Sequence, residues 1–220
     1  MSTQIALSPP AGPARAPYPA QLVEQTRLPD GTPVTIRPIR ASDLLLEREF
    51  VVGLSPHTRY QRLLSGRRLL PGELRRLTDI DYAHELALVA LAQVDGREQL
   101  LGVARYVRDD ETEPVSCDFA IVVADRWQGH GLGEMLLRRL QRAARADGIR
   151  VVGGLTLSTN AAMIALARTL GFRAHRETGD ATVTVLRWTA DEASHAVAPA
   201  GDAHSIGAVA HADLWHGAAH

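Results

Sequence analysis

The centre of the chain changes from a short apolar run to a longer stretch with helical spacing, and glycines separate the two. Residues Phe119 to Val123 are all apolar and rich in β-branched side chains, which predicts a buried strand. From Leu132 to Ala146 the apolar residues recur every three or four positions, which predicts an amphipathic helix. Glycines stand between the two segments at positions 129, 131 and 133. The pattern therefore predicts a strand, a glycine-rich turn and a helix in that order.

The same pattern predicts further elements on both sides of this turn. Upstream, it predicts a hairpin turning at Asp30-Gly31, helices that begin near residues 43, 55 and 71, and two strands, 85–93 and 99–107, joined at Asp95-Gly96. Downstream, it predicts a strand over 149–157, a helix that Asn160 caps, and a last strand over 183–188. We therefore expect one α/β domain over residues 25–189.

The two ends of the chain carry few large apolar residues. Residues 1–24 contain five prolines, and residues 190–220 are rich in alanine and hold scattered histidines. Neither composition can bury enough apolar surface to offset the entropy of ordering the chain. We expect a disordered or loosely attached arm over 1–24 and a flexible tail over 190–220. Because the histidines lack tight ligand spacing, we expect no metal site in the tail.

Charge and cysteine content narrow the class of protein further. The formal net charge of −1 provides no basic field for nucleic acid, and no apolar run approaches the length of about 20 residues that spans a bilayer. The single cysteine, Cys117, excludes an internal disulfide framework, and the N-terminal stretch lacks the apolar core of a signal peptide. We expect a cytoplasmic protein without a nucleic-acid or membrane partner; its oligomeric state stays open.

The glycine-rich turn has a chemical use. The first N–H groups of a helix lack partners inside it, and the helix dipole makes that end electropositive. Glycines there keep side chains away from an approaching phosphate. A P-loop would need Gly-Lys-Ser/Thr at its end, and the dinucleotide fingerprint would need a glycine where Glu134 stands. The turn is therefore a candidate anion cradle of another type.

The turn matches the pattern Gln/Arg-x-x-Gly-x-Gly/Ala, with Gln128, Gly131 and Gly133 at its defined positions. After a strand and before a helix, this pattern resembles the acetyl-CoA pyrophosphate loop of the GNAT acetyltransferases. Further segments resemble the bacterial Pat-type protein-lysine acetyltransferases, namely Leu54-Ser55-Pro56 with Arg59-Tyr60, and residues 77–82, 102–106, 118–120 and 127–129. The resemblance covers about residues 32–188 and implies the GNAT fold, a mixed, mostly antiparallel central sheet flanked by helices.

The resemblance also implies a site for acetyl-CoA as cosubstrate, without a metal. The backbone of the strand before the turn would pair with the pantetheine arm, and the turn would hold the pyrophosphate. Asn160 would help to fix the pantetheine or the far side of the cofactor; it also fits a plain helix cap, and the two roles are compatible. The implied cofactor-binding residues are Ile121, Val122, Val123, Gln128, Gly129, His130, Gly131, Leu132, Gly133, Asn160 and Met163.

Asp118 is the candidate general base. Acetyl transfer needs a neutral amine, whereas a free lysine has a pKa near about 10.4. Asp118 stands where the resembling enzymes carry a glutamate, and its shorter side chain favours proton transfer through a water. Glu111 and Glu113 are the reserve candidates, and the neighbouring Cys117 should point to the opposite face of the strand. The resemblance further implies that a backbone N–H near Val123 stabilises the oxyanion.

Three functions are compatible with these residues. The leading hypothesis is an acetyl-CoA-dependent N-acetyltransferase that modifies protein lysines. The second gives the same chemistry a small amine or amino acid, which an acidic pocket near residues 109–113 would favour. The third is a non-catalytic acyl-CoA sensor, because Asp118 is shorter than glutamate and Ala167 stands where many GNAT enzymes carry a tyrosine that protonates the leaving thiolate. A thiol with a pKa near about 8.5 leaves readily, so the missing tyrosine does not exclude catalysis.

Overall fold

A single sheet of eight strands organises the part of the chain that the structure, a computed structural model, describes, residues 15–63 and 70–190. Its strands are β1 (Glu24–Arg27), β2 (Pro33–Pro38), β3 (Glu85–Val94), β4 (Arg97–Asp109), β5 (Ser116–Val123), β6 (Val151–Leu157), β7 (Arg173–Glu177) and β8 (Asp180–Thr189). The α-helices are α1 (Leu44–Gly53), α2 (Pro56–Leu63), α3 (Pro71–Thr78), α4 (Leu132–Ala146) and α5 (Ala161–Thr169). Across the sheet the strands lie in the order β1-β2-β3-β4-β5-β6-β8-β7.

Strands β5 and β6 are parallel, while the other neighbouring pairs run antiparallel. The parallel contact is short and joins residues 116–118 to residues 151–153. Beyond it, β5 continues to Val123 paired with β4 alone, and β6 continues to Leu157 paired with β8 alone. The predicted mixed, mostly antiparallel sheet is confirmed, and a gap opens within it between β5 and β6.

Helices cover both faces of the sheet and bury a core on each. Helix α4 packs on the face that carries Phe119, and helices α1 and α3 pack on the face that carries Val122. Because side chains alternate along a strand, Cys117 lies in the core beneath α4. Asp118 points to the opposite face, as the strand pattern predicts.

The segment before β1 is attached to the domain. The Tyr18 hydroxyl donates a hydrogen bond to the Pro38 carbonyl at 3.1 Å, and the Tyr18 ring meets Tyr82 edge-on at a centroid distance of 5.7 Å. The prediction of a disordered arm over 1–24 is therefore wrong from residue 15 onwards, because a few long-range contacts anchor a segment whose own composition favours disorder. The residues before 15, and the predicted tail after Ala190, lie outside the described part.

Strand β7 is the element that the apolar pattern does not predict. Four of its five residues are exposed, so it carries no alternation of apolar and polar side chains. Antiparallel pairing with β8 alone holds it at the edge of the sheet.

The predicted hairpin between β3 and β4 is confirmed, with positive φ angles of 51° at Asp95 and 75° at Gly96. Across the described ranges, no helix combines the length and apolar character needed to cross a membrane.

Candidate active site

A pocket of about 370 Å³ lies where β5 and β6 separate. Its walls come from the free part of β5, the glycine turn, the starts of α4 and α5, and helix α2. Nine residues predicted for the cofactor line it, namely Ile121, Val122, Val123, Gln128, Gly129, Gly131, Gly133, Asn160 and Met163. The structure thus brings the central strand, the turn and the second helix start around one cavity.

Two predicted cofactor residues do not line the pocket with their side chains. Leu132 is 1% exposed and packs in the core beneath α4, because the helix turns its first apolar residue inward. The His130 side chain is exposed, and its Nδ1 lies 2.9 Å from the Gln128 carbonyl oxygen at the outer side of the turn. Either residue can therefore contribute to anion binding at the turn only through its backbone.

Gly154 of β6 leaves room for the Phe119 ring of β5 just beyond the point where the two strands separate. An added Cβ there would approach the Phe119 ring to 2.6 Å and the Phe119 carbonyl oxygen to 3.1 Å. The Phe119 ring in turn packs against Phe172, with a centroid distance of 5.1 Å, so it has little space to withdraw. The Phe119 ring of β5 thus occupies the space that a side chain at position 154 of β6 would need.

The turn before α4 has the geometry of an anion cradle. Gly129 and Gly131 have φ angles of 77° and 79°, in the left-handed region that favours glycine. The Gly131 carbonyl accepts the first helical hydrogen bond, from Met135 N at 3.1 Å, so the earlier N–H groups of the helix lack helical acceptors. The carboxylate of Glu134, in the same turn, is paired with Arg138 at 2.8 Å, which offsets its repulsion of an anion.

We predict that Gly131→Ala weakens binding of CoA by about tenfold. Alanine disfavours the left-handed backbone by about 1–3 kcal/mol, so the free turn should relax away from this conformation and binding must restore it; about 1.4 kcal/mol corresponds to a factor of ten in affinity. The added methyl would also meet the Pro29 ring at 3.3 Å. Gly148→Ala is the matched control, because Gly148 has the same φ angle of 79° but does not line the pocket, and its added methyl meets nothing within 4 Å. Calorimetric titration with CoA measures both; equal affinities would contradict the role assigned to Gly131.

Helix α2 is tied to the start of the glycine turn. Asp125 accepts hydrogen bonds from Ser55 N at 2.9 Å, Ser55 Oγ at 2.6 Å and Thr58 Oγ1 at 2.6 Å. Burial acts to raise the pKa of Asp125, but these hydrogen bonds outweigh it and hold the pKa below its usual value. The Gln128 side chain donates to Thr58 Oγ1 at 3.3 Å and to the Val123 carbonyl at 3.1 Å.

Sequence reasoning missed the contribution of α2 to the pocket. Thr58 and Gln61 line it, yet they lie about 70 residues before the turn. The Ser55-Pro56 helix start is visible in the sequence, but no local pattern indicates that this helix packs on the turn. The other lining residues that were not predicted are Phe119, Ala120, Glu134, Leu155, Thr156, Ala162, Leu166 and Leu186.

Asp118 is the last residue of β5 that pairs with β6, so it stands where the two strands separate. Burial, and next the negative charge of Asp109, raise the pKa of Asp118 to about 6. Asp109 is its diagonal neighbour on β4, and Glu85 of β3 lies on the same face, one strand further away. Burial likewise raises the pKa of Glu85, with the charge of Arg105 acting against the shift. Asp118 does not itself line the pocket; it lies at the base of the gap.

The remaining predicted residues have simpler surroundings. Asn160 Oδ1 accepts a hydrogen bond from Met163 N at 3.1 Å, so Asn160 caps α5 while it also lines the pocket. Glu111 and Glu113, the reserve bases, are exposed in the β4–β5 loop and do not line the pocket. Within the described residues, no group of three or more His, Cys, Asp or Glu side chains is placed to hold a metal ion.

A sheet that splits between two parallel strands, with a glycine turn and a helix start at the mouth of the split, defines an acetyltransferase domain. Residues 58–172 match the model of the Acetyltransferase (GNAT) family, and the chain belongs to that family. Members of this family use acetyl-CoA as the acyl donor, and the open cradle of the turn fits its pyrophosphate.

Named relatives agree with this assignment. Acetyltransferase PA5475 of Pseudomonas aeruginosa is 38% identical over 161 residues, which cover 73% of this chain and 86% of that protein. The crystal structure of the GNAT domain of S. lividans PAT superposes with a TM-score of 0.71 at 27% identity, covering 79% of this chain and 99% of that one. An L-methionine sulfoximine/L-methionine sulfone acetyltransferase of Pseudomonas paraeruginosa is 38% identical over 84 residues, 37% of this chain and 49% of that relative.

Proposed function

We propose that this chain transfers the acetyl group of acetyl-CoA to the side-chain amine of a protein lysine, with Asp118 as the general base. One observation carries the proposal: strand β5 joins both halves of the site. Asp118 stands where β5 leaves β6, and the glycine turn follows the end of the same strand. A donor held along β5 would therefore run from the cradle towards the carboxyl group.

The donor half of the proposal rests on the free edge of β5 and on the turn. Residues 119–123 pair with β4 on one side and do not pair with β6 on the other. The backbone of an extended strand offers hydrogen-bonding groups to an extended ligand, which suits the two amides of the pantetheine arm. The left-handed glycines and the start of α4 suit the pyrophosphate. The two anchors would fix the thioester near the base of the gap.

Asp118 is suited to take a proton from the attacking amine. A carboxyl group with a pKa of about 6 is a stronger base than an ordinary aspartate, and it is still largely ionised at neutral pH. The amine nitrogen attacks the thioester carbonyl carbon, the C–N bond forms and the C–S bond breaks. Before the attack, the lysine ammonium gives one proton to Asp118, through a water because aspartate is short, which leaves the neutral amine. As the C–S bond breaks, the nitrogen loses its second proton to the CoA thiolate by way of solvent, and Asp118 then returns its own proton to solvent. A backbone N–H near Val123 would stabilise the oxyanion.

The acceptor is proposed to be cationic before it reacts. Asp118, Asp109 and Glu85 share the face of the sheet opposite α4. Arg105 lies on the same face and its charge acts on Glu85, so Asp118 and Asp109 are the carboxyl groups that attract an ammonium group. The superposition with the GNAT domain of S. lividans PAT supports the Pat-type assignment and thus a protein lysine. A small amine is the second candidate, which the 38% identity over 84 residues to the methionine sulfoximine/methionine sulfone acetyltransferase favours.

The test is CoA release from acetyl-CoA with a panel of acceptors. The panel contains folded proteins, lysine peptides with blocked termini, free amino acids and methionine sulfone. Faster release with proteins or blocked peptides than with amino acids supports the lysine proposal, and the reverse order supports the small amine. Tight binding of acetyl-CoA without release to any amine would contradict both and favour a sensor.

A further inference from the structure

The hydroxyl group of Thr58 lies between two side chains of the glycine turn. Thr58 Oγ1 donates a hydrogen bond to Asp125 Oδ1 at 2.6 Å and accepts one from Gln128 Nε2 at 3.3 Å. A hydroxyl has one proton to donate and lone pairs to accept, so both bonds can exist together. Thr58 is only 6% exposed, so its hydroxyl is largely shielded from water, although Asp125 and Gln128 are exposed. One oxygen atom therefore joins helix α2 to both ends of the segment 125–128.

The partners of Thr58 are themselves held by neighbouring elements. Asp125 also accepts from the backbone and side chain of Ser55, at the start of α2. Ser55 Oγ in turn accepts from Thr58 N at 3.1 Å and caps the helix. Gln128 Nε2 donates to the carbonyl of Val123, the last residue of β5. The network thus connects three elements: the end of the central strand, the turn and the first turn of α2.

Helix α2 also forms one wall of the pocket, through Thr58 and Gln61. The glycines that follow Gln128 give the turn backbone freedom that an anion bound to its N–H groups would remove. Reduced backbone motion in the turn would restrict α2 as well, because the hydrogen bonds among Thr58, Asp125 and Gln128 join the two elements. An anion bound in the turn would thereby stabilise one position of α2. Coupling between two sites is reciprocal, so a second ligand that stabilises the same position of α2 would raise the affinity of the turn for the anion by the same factor.

Resting on the proposed function, we propose that Thr58 is a positioning residue that couples the glycine turn to helix α2. Binding of the CoA pyrophosphate in the turn fixes the position of the α2 wall, so that this side of the pocket is complete only when the donor is present. Thr58 makes this connection because its hydroxyl is bonded to both Asp125 and Gln128, while its neighbours each reach one side of the network.

The test compares amide hydrogen exchange with and without CoA in the unmodified chain, in Thr58→Val and in Thr58→Ser. Valine keeps the shape and removes the hydroxyl, and serine keeps the hydroxyl. We expect CoA to slow exchange at residues 128–135 in all three proteins. At residues 56–61 we expect CoA to slow exchange by about tenfold in the unmodified chain and in Thr58→Ser, and by less than about twofold in Thr58→Val.

The CoA-dependent difference separates coupling from a purely structural role, because a general loss of stability speeds exchange with and without CoA alike. Equal slowing at 56–61 in Thr58→Val and in the unmodified chain overturns the coupling. So does slowing at 128–135 without slowing at 56–61 in the unmodified chain. Absence of slowing at both segments overturns the proposed donor site, and the coupling with it. If Thr58→Val does not fold, Thr58→Ala gives the same comparison with a smaller side chain.

Discussion

Asp118→Asn is expected to lower turnover with the best acceptor by about 10²–10⁴-fold, the range that general base catalysis contributes. Asparagine has the shape of aspartate but cannot take the amine proton at neutral pH. Binding of acetyl-CoA should stay unchanged, because the side chain points to the face opposite α4 and does not line the pocket. Steady-state kinetics and calorimetry measure the two quantities. Unchanged turnover in this variant would contradict the assigned base.

The pH dependence of kcat/KM gives an independent check. The base must be ionised, so kcat/KM should fall as the pH drops through the Asp118 pKa, which burial and Asp109 raise to about 6. Asp109→Asn removes a nearby negative charge that disfavours the ionised form, and should move this midpoint to lower pH. Glu113→Gln is the matched control, because it removes the same charge from the exposed loop. A midpoint that Asp109→Asn leaves unmoved would argue against Asp118 as the titrating group.

The ionised form of Asp118, which catalysis needs, should lower the free energy of unfolding. The folded-state pKa of Asp118 is above its unfolded value, so the carboxyl binds its proton more tightly in the folded state. Its contribution to stability is therefore present at low pH and is lost as the pH rises from about 4 to about 6. Asp118→Asn should remove this loss and unfold at a higher temperature than the unmodified chain at pH 7. A gain in stability with a loss of turnover would mark a residue retained for chemistry.

Gly154→Ala is expected to damage both the fold and the donor site. The added methyl would lie 2.6 Å from the Phe119 ring and 3.1 Å from its carbonyl oxygen, and Phe172 blocks the retreat of the ring. Overpacking of this kind costs about 1–3 kcal/mol, which corresponds to a fall in Tm of about 6–12 °C at the upper end. Because Phe119 lines the pocket, its displacement should also weaken CoA binding by at least about tenfold.

Two comparisons make the Gly154 experiment specific. In Gly72→Ala the added methyl meets open space, so this helix substitution should leave Tm unchanged or raise it slightly. In a Gly154→Ala/Phe119→Leu double variant the smaller side chain leaves room for the methyl, and part of the lost affinity should return. Thermal unfolding and CoA titration measure all of these. An affinity that the leucine does not restore would show that the strand gap does not depend on this contact.

The elements around the glycine turn were predictable because their signals are local. A continuous apolar run, alternate glycines and helical spacing place β5, the turn and α4 without knowledge of the rest of the chain. The cap at Asn160 and the hairpin at Asp95-Gly96 follow from short-range backbone preferences in the same way. Strand β7 was not predictable, because an exposed edge strand held by one neighbour needs no apolar pattern.

The sequence by itself determined the order of elements around the turn, the segment proposed to bind the cofactor and the opposite directions of Cys117 and Asp118, because each depends on residues close together in the chain. Only the tertiary structure decided that residues 15–23 attach to the domain, that α2 joins the turn through Thr58, and that Asp118 lies at the fork of β5 and β6. These features arise from contacts between segments far apart in sequence. Such contacts depend on how the sheet and helices pack, and no local pattern records that packing.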